Sequence, residues 1–238
     1  FYSIHIYPEV VVAALSLAAF RMLRFAPKLS AKKAALCGIL PASLIWFHAL
    51  KYVFISAPLF LFGLLTLRRK GSRRSNLWLF LLAGFAAVVL YLLFQKSLYG
   101  TYSLSAVSWA REMTDTGEKF LDFAKTLLFR IPFRDRWETL AGYFLDQRDG
   151  LLLYAPIYFF SLLGALEMMR RKRKDFLILF LVAAPYVLVS AFLTQRTGYA
   201  PQARPLVAVI WAAVIGLGYF LTANRRNILS AAFGLSAG

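Results

Sequence analysis

Two side chains near the start of the chain have the types and the spacing to bind a ligand. His5 and Glu9 are four residues apart, so they share one face of a helix that enters the first apolar run. Such a pair can bind a metal ion, hydrogen-bond a hydroxyl-rich substrate, or simply form a solvated helix end. The chain has only two histidines and no evident third ligand, so we expect no metal.

A second pair, His48 and Lys51, lies in the aromatic segment 46–52 between two apolar runs. Lys51 is a point charge and His48 a hydrogen-bond donor, and together they can hold the phosphate of a lipid carrier. The same composition is also typical of an interfacial anchor, because aromatic rings and lysines hold helices at the lipid–water boundary. The sequence leaves both interpretations open.

Polar residues stand at two later entries into apolar runs. Asp146, Gln147 and Arg148 precede one run, where Asp146 can hold a sugar hydroxyl and Arg148 a phosphate, or where the segment simply caps the helix. Arg196 and Arg204 flank a turn that contains glycine and proline. An arginine in such a turn can bind an anion through two hydrogen bonds, or it can contact a lipid headgroup.

The apolar runs that must position these side chains are long and uninterrupted. Hydrophobic residues make up 60% of the chain, which is more than a soluble domain of this size needs for its core. Continuous runs of about 20 residues fit helices that cross a bilayer, whereas barrel strands would alternate in polarity. We therefore predict an all-α, polytopic transmembrane helical bundle of about seven to eight spans. The predicted spans are 9–26, 34–50, 52–67, 77–95, 151–169, 176–193 and 205–223, with a last one from Ile228.

Four clusters of positive charge lie between these runs, at 21–33, 68–74, 170–174 and 225–226. They contain 17 of the 28 lysine and arginine residues, and retained positive charge marks the cytoplasmic side of a membrane protein. We therefore expect these loops inside and segment 95–150 outside. The net charge of +17 then reports topology, and we predict no nucleic-acid partner.

The same pattern divides the chain into three parts. Residues 1–94 are predicted to be transmembrane helices that include a short helical hairpin at 34–67, with a proline in each arm. Residues 151–238 are predicted to be further transmembrane helices. The chain opens without an initiator methionine and its last apolar run is short, so we expect a fragment of a longer protein, truncated at the C-terminus.

Segment 95–150 is the one long polar region, and its sequence predicts two amphipathic helices. One has an apolar face over 118–130, and the other has its apolar face at Trp137, Leu140, Ala141 and Phe144. Asp135 followed by Glu138 is typical of a capping box at the start of the second helix. We expect both helices to lie along the membrane interface; the alternative is a small soluble lobe that packs on itself.

With these residues identified, the chain resembles the polytopic membrane glycosyltransferases of the C type, the GT-C superfamily. The likeness covers most of the chain and consists of short segments at the ends of predicted spans. These segments are Tyr7-Pro8-Glu9, Gly38-Ile39-Leu40-Pro41, Trp46-Phe47-His48, Lys51-Tyr52, Tyr99-Gly100, the run from Asp146 to Leu152, Ala155-Pro156, and Gly198 with Pro201 and Arg204-Pro205-Leu206.

The resemblance implies an enzyme that transfers a sugar from a polyprenyl-phosphate-linked donor to an acceptor on the outer face of the membrane, without a cofactor. In that family the catalytic base is an acidic residue of the first outer loop, which would lie upstream of Phe1. We therefore assign no catalytic residue and expect the fragment to be inactive alone. Lys51 and Arg204 would stabilise the leaving phosphate, and His5, Glu9 and Asp146 would position the sugar or the acceptor.

The resemblance is to bacterial members of the family, which implies the bacterial inner membrane as the location. The lipid bilayer and the lipid-linked sugar are the expected partners, and the oligomeric state is not predicted. Two alternatives stay open at this stage. One is a transporter or flippase, or a polymerase or ligase, for lipid-linked saccharides, and the other is a noncatalytic membrane scaffold.

Overall fold

The described part of the protein is helical. The computed structural model describes residues 8–25, 30–69, 73–100, 129–147, 150–194 and 204–225, together with Tyr102 and Lys125, and these residues include no strand. The described helices are α1 (Pro8–Phe25), α2 (Ala31–Ser43), α3 (Ile45–Arg69), α4 (Arg74–Tyr99), α5 (Phe133–Leu145), α6 (Leu151–Tyr154), α7 (Ile157–Arg171), α8 (Arg173–Phe192), α9 (Arg204–Val207) and α10 (Ile210–Ala223).

Three of these helices, α3, α4 and α8, are long and apolar enough to cross a membrane. Each has at least 20 residues, about the length that a hydrocarbon core of about 30 Å requires. Helix α10 is also apolar but has only 14 residues. The predicted all-helical class is thereby confirmed for the described residues, and the three long helices are compatible with an integral membrane protein. The number of seven to eight spans stays a prediction.

One end of the bundle gathers the described members of the first three basic clusters. Leu23, Cys37, Leu67 and Phe80 pack together, which joins the end of α1, the start of α2, the end of α3 and the start of α4. Helix α8 begins at the same end. Its residue Asp175 forms a bidentate ion pair with Arg24 of α1, in which the closest N–O distance is 2.8 Å. We call this the basic end.

The other end of the bundle is closed by contacts of a different kind. Ile45 and Ala49 pack against Tyr91 in the second half of α4, so the chain has reversed between α2 and α3. Helix α5 lies across the last turn of α8, where Tyr143 packs with Ala191 and with Leu206 of α9. We call this the opposite end.

Glycines let two helix pairs approach closely. A Cβ atom on Gly38 of α2 would overlap the backbone carbonyl oxygen of Phe80 in α4. A Cβ atom on Gly164 of α7 would overlap the carbonyl oxygen of Gly216 in α10 in the same way. Small residues at helix contacts are the usual way in which membrane helices gain packing, because lipid supplies no hydrophobic force between them.

Several helix boundaries differ from the sequence predictions. The backbone break in α3 lies at His48, whereas Pro58 lies within continuous helix. The predicted span 151–169 is divided into α6 and α7 at Ala155, and the predicted span 205–223 is divided into α9 and α10. A proline lies beside each of these two divisions, Pro156 at the first and Pro205 at the second. A hydropathy average over the whole apolar run does not detect such interruptions.

The capping box predicted at Asp135 and Glu138 is wrong. Helix α5 begins two residues earlier, directly after Pro132, and Pro132 makes no side-chain cap. With Pro132 at the N-cap position, Asp135 lies inside the first turn of the helix, so its side chain is not at the capping position. Glu138 instead accepts a hydrogen bond of 2.6 Å from Nε of Arg134 on the exposed side of the helix. The helix predicted over 118–130 lies almost entirely outside the described residues.

Candidate functional site

A buried ion pair joins two of the residues that the sequence singled out. Glu9 lies in the first turn of α1, and its side chain is 3% exposed; Lys51 of α3 is 19% exposed. Lys51 Nζ is 3.2 Å from Glu9 Oε1, a hydrogen-bonded ion pair between residues 42 positions apart. Charges at this depth are costly unless they are paired, so the two helices must approach each other with their charged groups aligned.

His48 explains why Lys51 can reach Glu9. The backbone at His48 is extended, with φ −171° and ψ 100°, so the helix stops there and starts again. The ring atom Nδ1 of His48 accepts a hydrogen bond of 3.3 Å from the backbone N–H of Lys51, three residues later. This is the geometry of a helix N-cap, which satisfies one of the donors that a new helix start leaves free. Lys51 therefore lies in the first turn of the restarted helix.

Two tyrosines complete the surroundings of Lys51. Tyr52 of α3 and Tyr186 of α8 stack with ring centres 5.9 Å apart, and both are almost fully buried. Lys51 Nζ lies 5.4 Å from the first ring centre and 6.0 Å from the second, within the range of a cation–π interaction. We call Glu9, Lys51, Tyr52 and Tyr186 the ion-pair cluster.

The hydroxyl of Tyr186 is the unsatisfied polar atom of this cluster. It is buried and forms no hydrogen bond with any described residue, although Ser190, one turn later on α8, lies near it. A buried hydroxyl without a partner costs free energy, because it has lost its hydrogen bonds to water. Such an atom is well placed to bind a polar group of a ligand.

Helix α5 adds a second buried cation at the opposite end. Arg136 is 5% exposed, its Nε donates a 3.1 Å hydrogen bond to the carbonyl of Ile131, and its guanidinium carbon lies 5.1 Å from the ring centre of Phe192. No carboxylate of a described residue lies within 4 Å of it. Phe192 follows Tyr186 by six residues, about 9 Å along α8, so Arg136 lies farther toward the opposite end than the ion-pair cluster.

The fully buried side chains of α5 are mostly polar. Arg136, Thr139 and Tyr143 are buried, whereas Phe133 and Trp137 are more than half exposed. The buried residues are spaced three and then four apart, which is the helical period. Leu140 and Phe144 of the predicted apolar face are partly buried and pack against Tyr143 and its neighbours.

The exposed side of α5 has an ion pair that contrasts with Arg136. The hydrogen bond and the charge of Glu138 raise the pKa of Arg134, whose side chain is 86% exposed. Arg134 and Arg136 are thus two arginines on one helix, one solvated and paired with a carboxylate, the other buried. They form a matched pair for experiments.

The other predicted site residues have different places. Asp146 ends α5, and its carbonyl accepts a hydrogen bond of 2.7 Å from the N–H of Gly150. The carbonyl of Gln147 accepts a hydrogen bond of 2.7 Å from the hydroxyl of Tyr154, so both residues help to form the turn between α5 and α6. Arg204 begins α9 beside the cluster at the opposite end. His5, Arg148 and Arg196 lie outside the described residues.

The structure therefore unites Glu9 and Lys51, which the sequence had placed in two separate pairs, and it adds Tyr52, Tyr186 and Arg136, which the sequence analysis missed. In the described ranges no three histidine, cysteine, aspartate or glutamate side chains gather as a metal site would require. Glu167 pairs with the adjacent basic run, since its Oε1 lies 3.0 Å from a guanidinium nitrogen of Arg171.

The chemistry available at the opposite end is that of binding. A carboxylate held by an ammonium group is a weak base, so Glu9 is suited to orient hydroxyl groups, and Lys51 and Arg136 are suited to hold an anion. No protein-family model, no curated protein and no solved structure matches this chain.

Proposed function

We propose that this chain is the substrate-binding part of an integral-membrane glycosyltransferase that uses a polyprenyl-phosphate-linked sugar. The observation that carries the proposal is the Lys51–Glu9 pair, with its carboxylate buried, together with the buried Arg136, all toward the end of the bundle away from the basic clusters. A lipid-linked sugar presents both a phosphate and hydroxyl groups. The buried Arg136, the partly buried Lys51, one acidic side chain and two tyrosines supply the corresponding donors and acceptors.

The finer topology belongs to the same proposal. Seven to eight spans, with the basic end in the cytoplasm of a bacterium and segment 95–150 outside, agree with the gathering of Arg24, Lys33, Arg68 and Arg173 at one end. Helix α5 is then an interfacial helix on the outer side. Its exposed Phe133 and Trp137 fit the lipid boundary, while its polar face covers the bundle.

In this proposal the named residues stabilise the leaving group. As the bond between the sugar and the lipid phosphate breaks, negative charge develops on the phosphate, and preorganised cations lower the energy of that state. Arg136 is the stronger candidate, because no described carboxylate neutralises it. Lys51 would exchange its contact with Glu9 for one with the phosphate. Glu9 Oε1 could then accept a hydrogen bond from a sugar hydroxyl. The catalytic base would come from a part of the protein before Phe1.

The test is a transfer assay with the full-length protein in liposomes that contain a fluorescent polyprenyl-phosphate sugar. Arg136→Gln should lower the rate by about 100-fold or more, the loss expected when one donor to a developing oxyanion is removed. Arg134→Gln removes the same charge two residues away, on the solvated side of α5, and should leave the rate within about twofold. Equal rates for the two variants would exclude Arg136 from the reaction.

A second function is favoured by one specific observation. The helix break at His48 lies directly beside the ion-pair cluster, and prolines also lie within α2, α3 and α8. Discontinuous helices with charged side chains at the break are what transporters use to bind substrates within the membrane. A flippase would move the fluorescent lipid between leaflets, measured by quenching from one side, without forming a sugar product. Transfer without movement would exclude this alternative.

A further inference from the structure

A groove along α1 at the basic end has the features of a lipid-binding site. It runs over the exposed face of α1 from Ala14 to Phe25 and encloses about 840 Å³. Its floor includes the small side chains of Ala14 and Ala18, and two cations, Arg21 and Lys33, line it. Every other lining residue is apolar.

The dimensions of the groove match one half of a bilayer. Eleven helical steps separate Ala14 from Phe25, which is about 16 Å along the axis. One leaflet of a hydrocarbon core of about 30 Å is about 15 Å deep. A groove that starts at the middle of α1 and finishes at the basic end therefore extends over one acyl chain, with the cations at the level of the headgroups.

The two cations are available to a ligand. Arg24, one turn after Arg21, is already paired with Asp175. Within the described ranges, no carboxylate lies within ion-pair distance of Arg21 or Lys33, and both side chains are exposed. Two unneutralised cations at the mouth of an apolar groove attract a molecule with a negative head and an apolar tail.

We propose that this groove binds an anionic diacyl phospholipid, with one acyl chain along α1 and the phosphate held by Arg21 and Lys33. This groove is at the basic end, whereas the ion-pair cluster is at the opposite end, so the proposed lipid site does not depend on the proposed transferase activity. A lipid in this position would cover the exposed face of α1 and fix the height of the basic end in the membrane.

Native mass spectrometry of the full-length protein in detergent tests the proposal, with phosphatidylglycerol and phosphatidylcholine of identical acyl chains as probes. The wild type should bind phosphatidylglycerol more tightly. Arg21→Gln with Lys33→Gln should weaken that binding about 25-fold, about fivefold per cation, and leave phosphatidylcholine unchanged. The control, Lys32→Gln with Arg73→Gln, removes two exposed charges near the same end that do not line the groove, and should change binding by less than about twofold.

A variant that keeps every charge tests whether the acyl chain binds in the groove. Ala18→Trp fills the groove and should weaken the binding of both lipids at least fivefold, whereas Ala86→Trp, on the exposed face of α4, should not. This comparison also decides the question if the double charge variant does not fold. Equal losses from the two double variants, an unaffected Ala18→Trp, or equal affinity of the wild type for the two lipids would each overturn the proposal.

Discussion

Replacing Lys51 by methionine removes a cation from the buried carboxylate of Glu9, and the structure allows the cost to be calculated. At 3.2 Å and an effective dielectric constant of about 20, the attraction between the two charges is about 5 kcal/mol. Neutralising an ordinary carboxylate costs about 3.7 kcal/mol at pH 7, and this sets the upper limit of the loss. We expect Lys51→Met to lower the free energy of unfolding by about 3 kcal/mol at pH 7.

The reverse change should cost less, because Lys51 is 19% exposed and Glu9 only 3%. After Glu9→Gln the ammonium group can extend toward water along its flexible side chain, so we expect a loss of about 1 to 2 kcal/mol.

Unfolding of the detergent-solubilised protein in SDS, followed by tryptophan fluorescence at pH 7, measures these differences. The double variant Lys51→Met with Glu9→Gln should recover most of the loss, because both members of the pair are then neutral. A loss below about 1 kcal/mol in Lys51→Met would refute the reasoning, as would a larger loss in Glu9→Gln.

Three further predictions concern other positions in the bundle. Gly38→Ala should lower the free energy of unfolding by about 2 kcal/mol or more, because its new methyl group meets the carbonyl of Phe80. Gly218→Ala, whose methyl group meets nothing within 4 Å, should raise the free energy of unfolding by up to about 1 kcal/mol, and SDS unfolding measures both changes. His48→Leu removes the N-cap hydrogen bond and should lower the free energy of unfolding by about 1 kcal/mol in the same assay. His48→Ser can still cap the helix and should keep most of that stability. Cys37 is fully buried, so a maleimide should label it only after denaturation, as mass spectrometry would report.

Local patterns in the sequence were sufficient to predict the helical class and the gathering of the basic clusters at one end, but not the boundaries of every helix. Apolar runs of about 20 residues and clusters of arginine and lysine are local signals, and the contact of Arg24 with Asp175 agrees with them. The pairing of helices is a different kind of information. Glu9 and Lys51 are 42 residues apart, and neither hydropathy nor helical periodicity records which helices are neighbours. Each residue was therefore recognised, but the contact between them was not.

The inner face of α5 does not follow from its sequence alone. In a soluble protein the apolar stripe of a helix faces the core, and that rule selects Trp137 and its neighbours. In the interfacial position that we propose for α5, lipid is the apolar partner, so Phe133 and Trp137 can remain exposed while Arg136 and Tyr143 face the bundle. Sequence periodicity gives the two faces of such a helix, and only the position of the helix decides which face turns inward.

The presence of an ion pair with a buried carboxylate, where apolar side chains could stand, bears on the role of the pair. Apolar side chains of similar volume stabilise a protein as well as a buried pair or better, so stability does not explain Glu9 and Lys51. The double variant separates the two explanations, because it should restore the free energy of unfolding. If the pair only joins α1 to α3, sugar transfer by the full-length protein should recover together with stability. If the pair binds substrate, the double variant should be as stable as the wild type within about 1.5 kcal/mol and still be inactive.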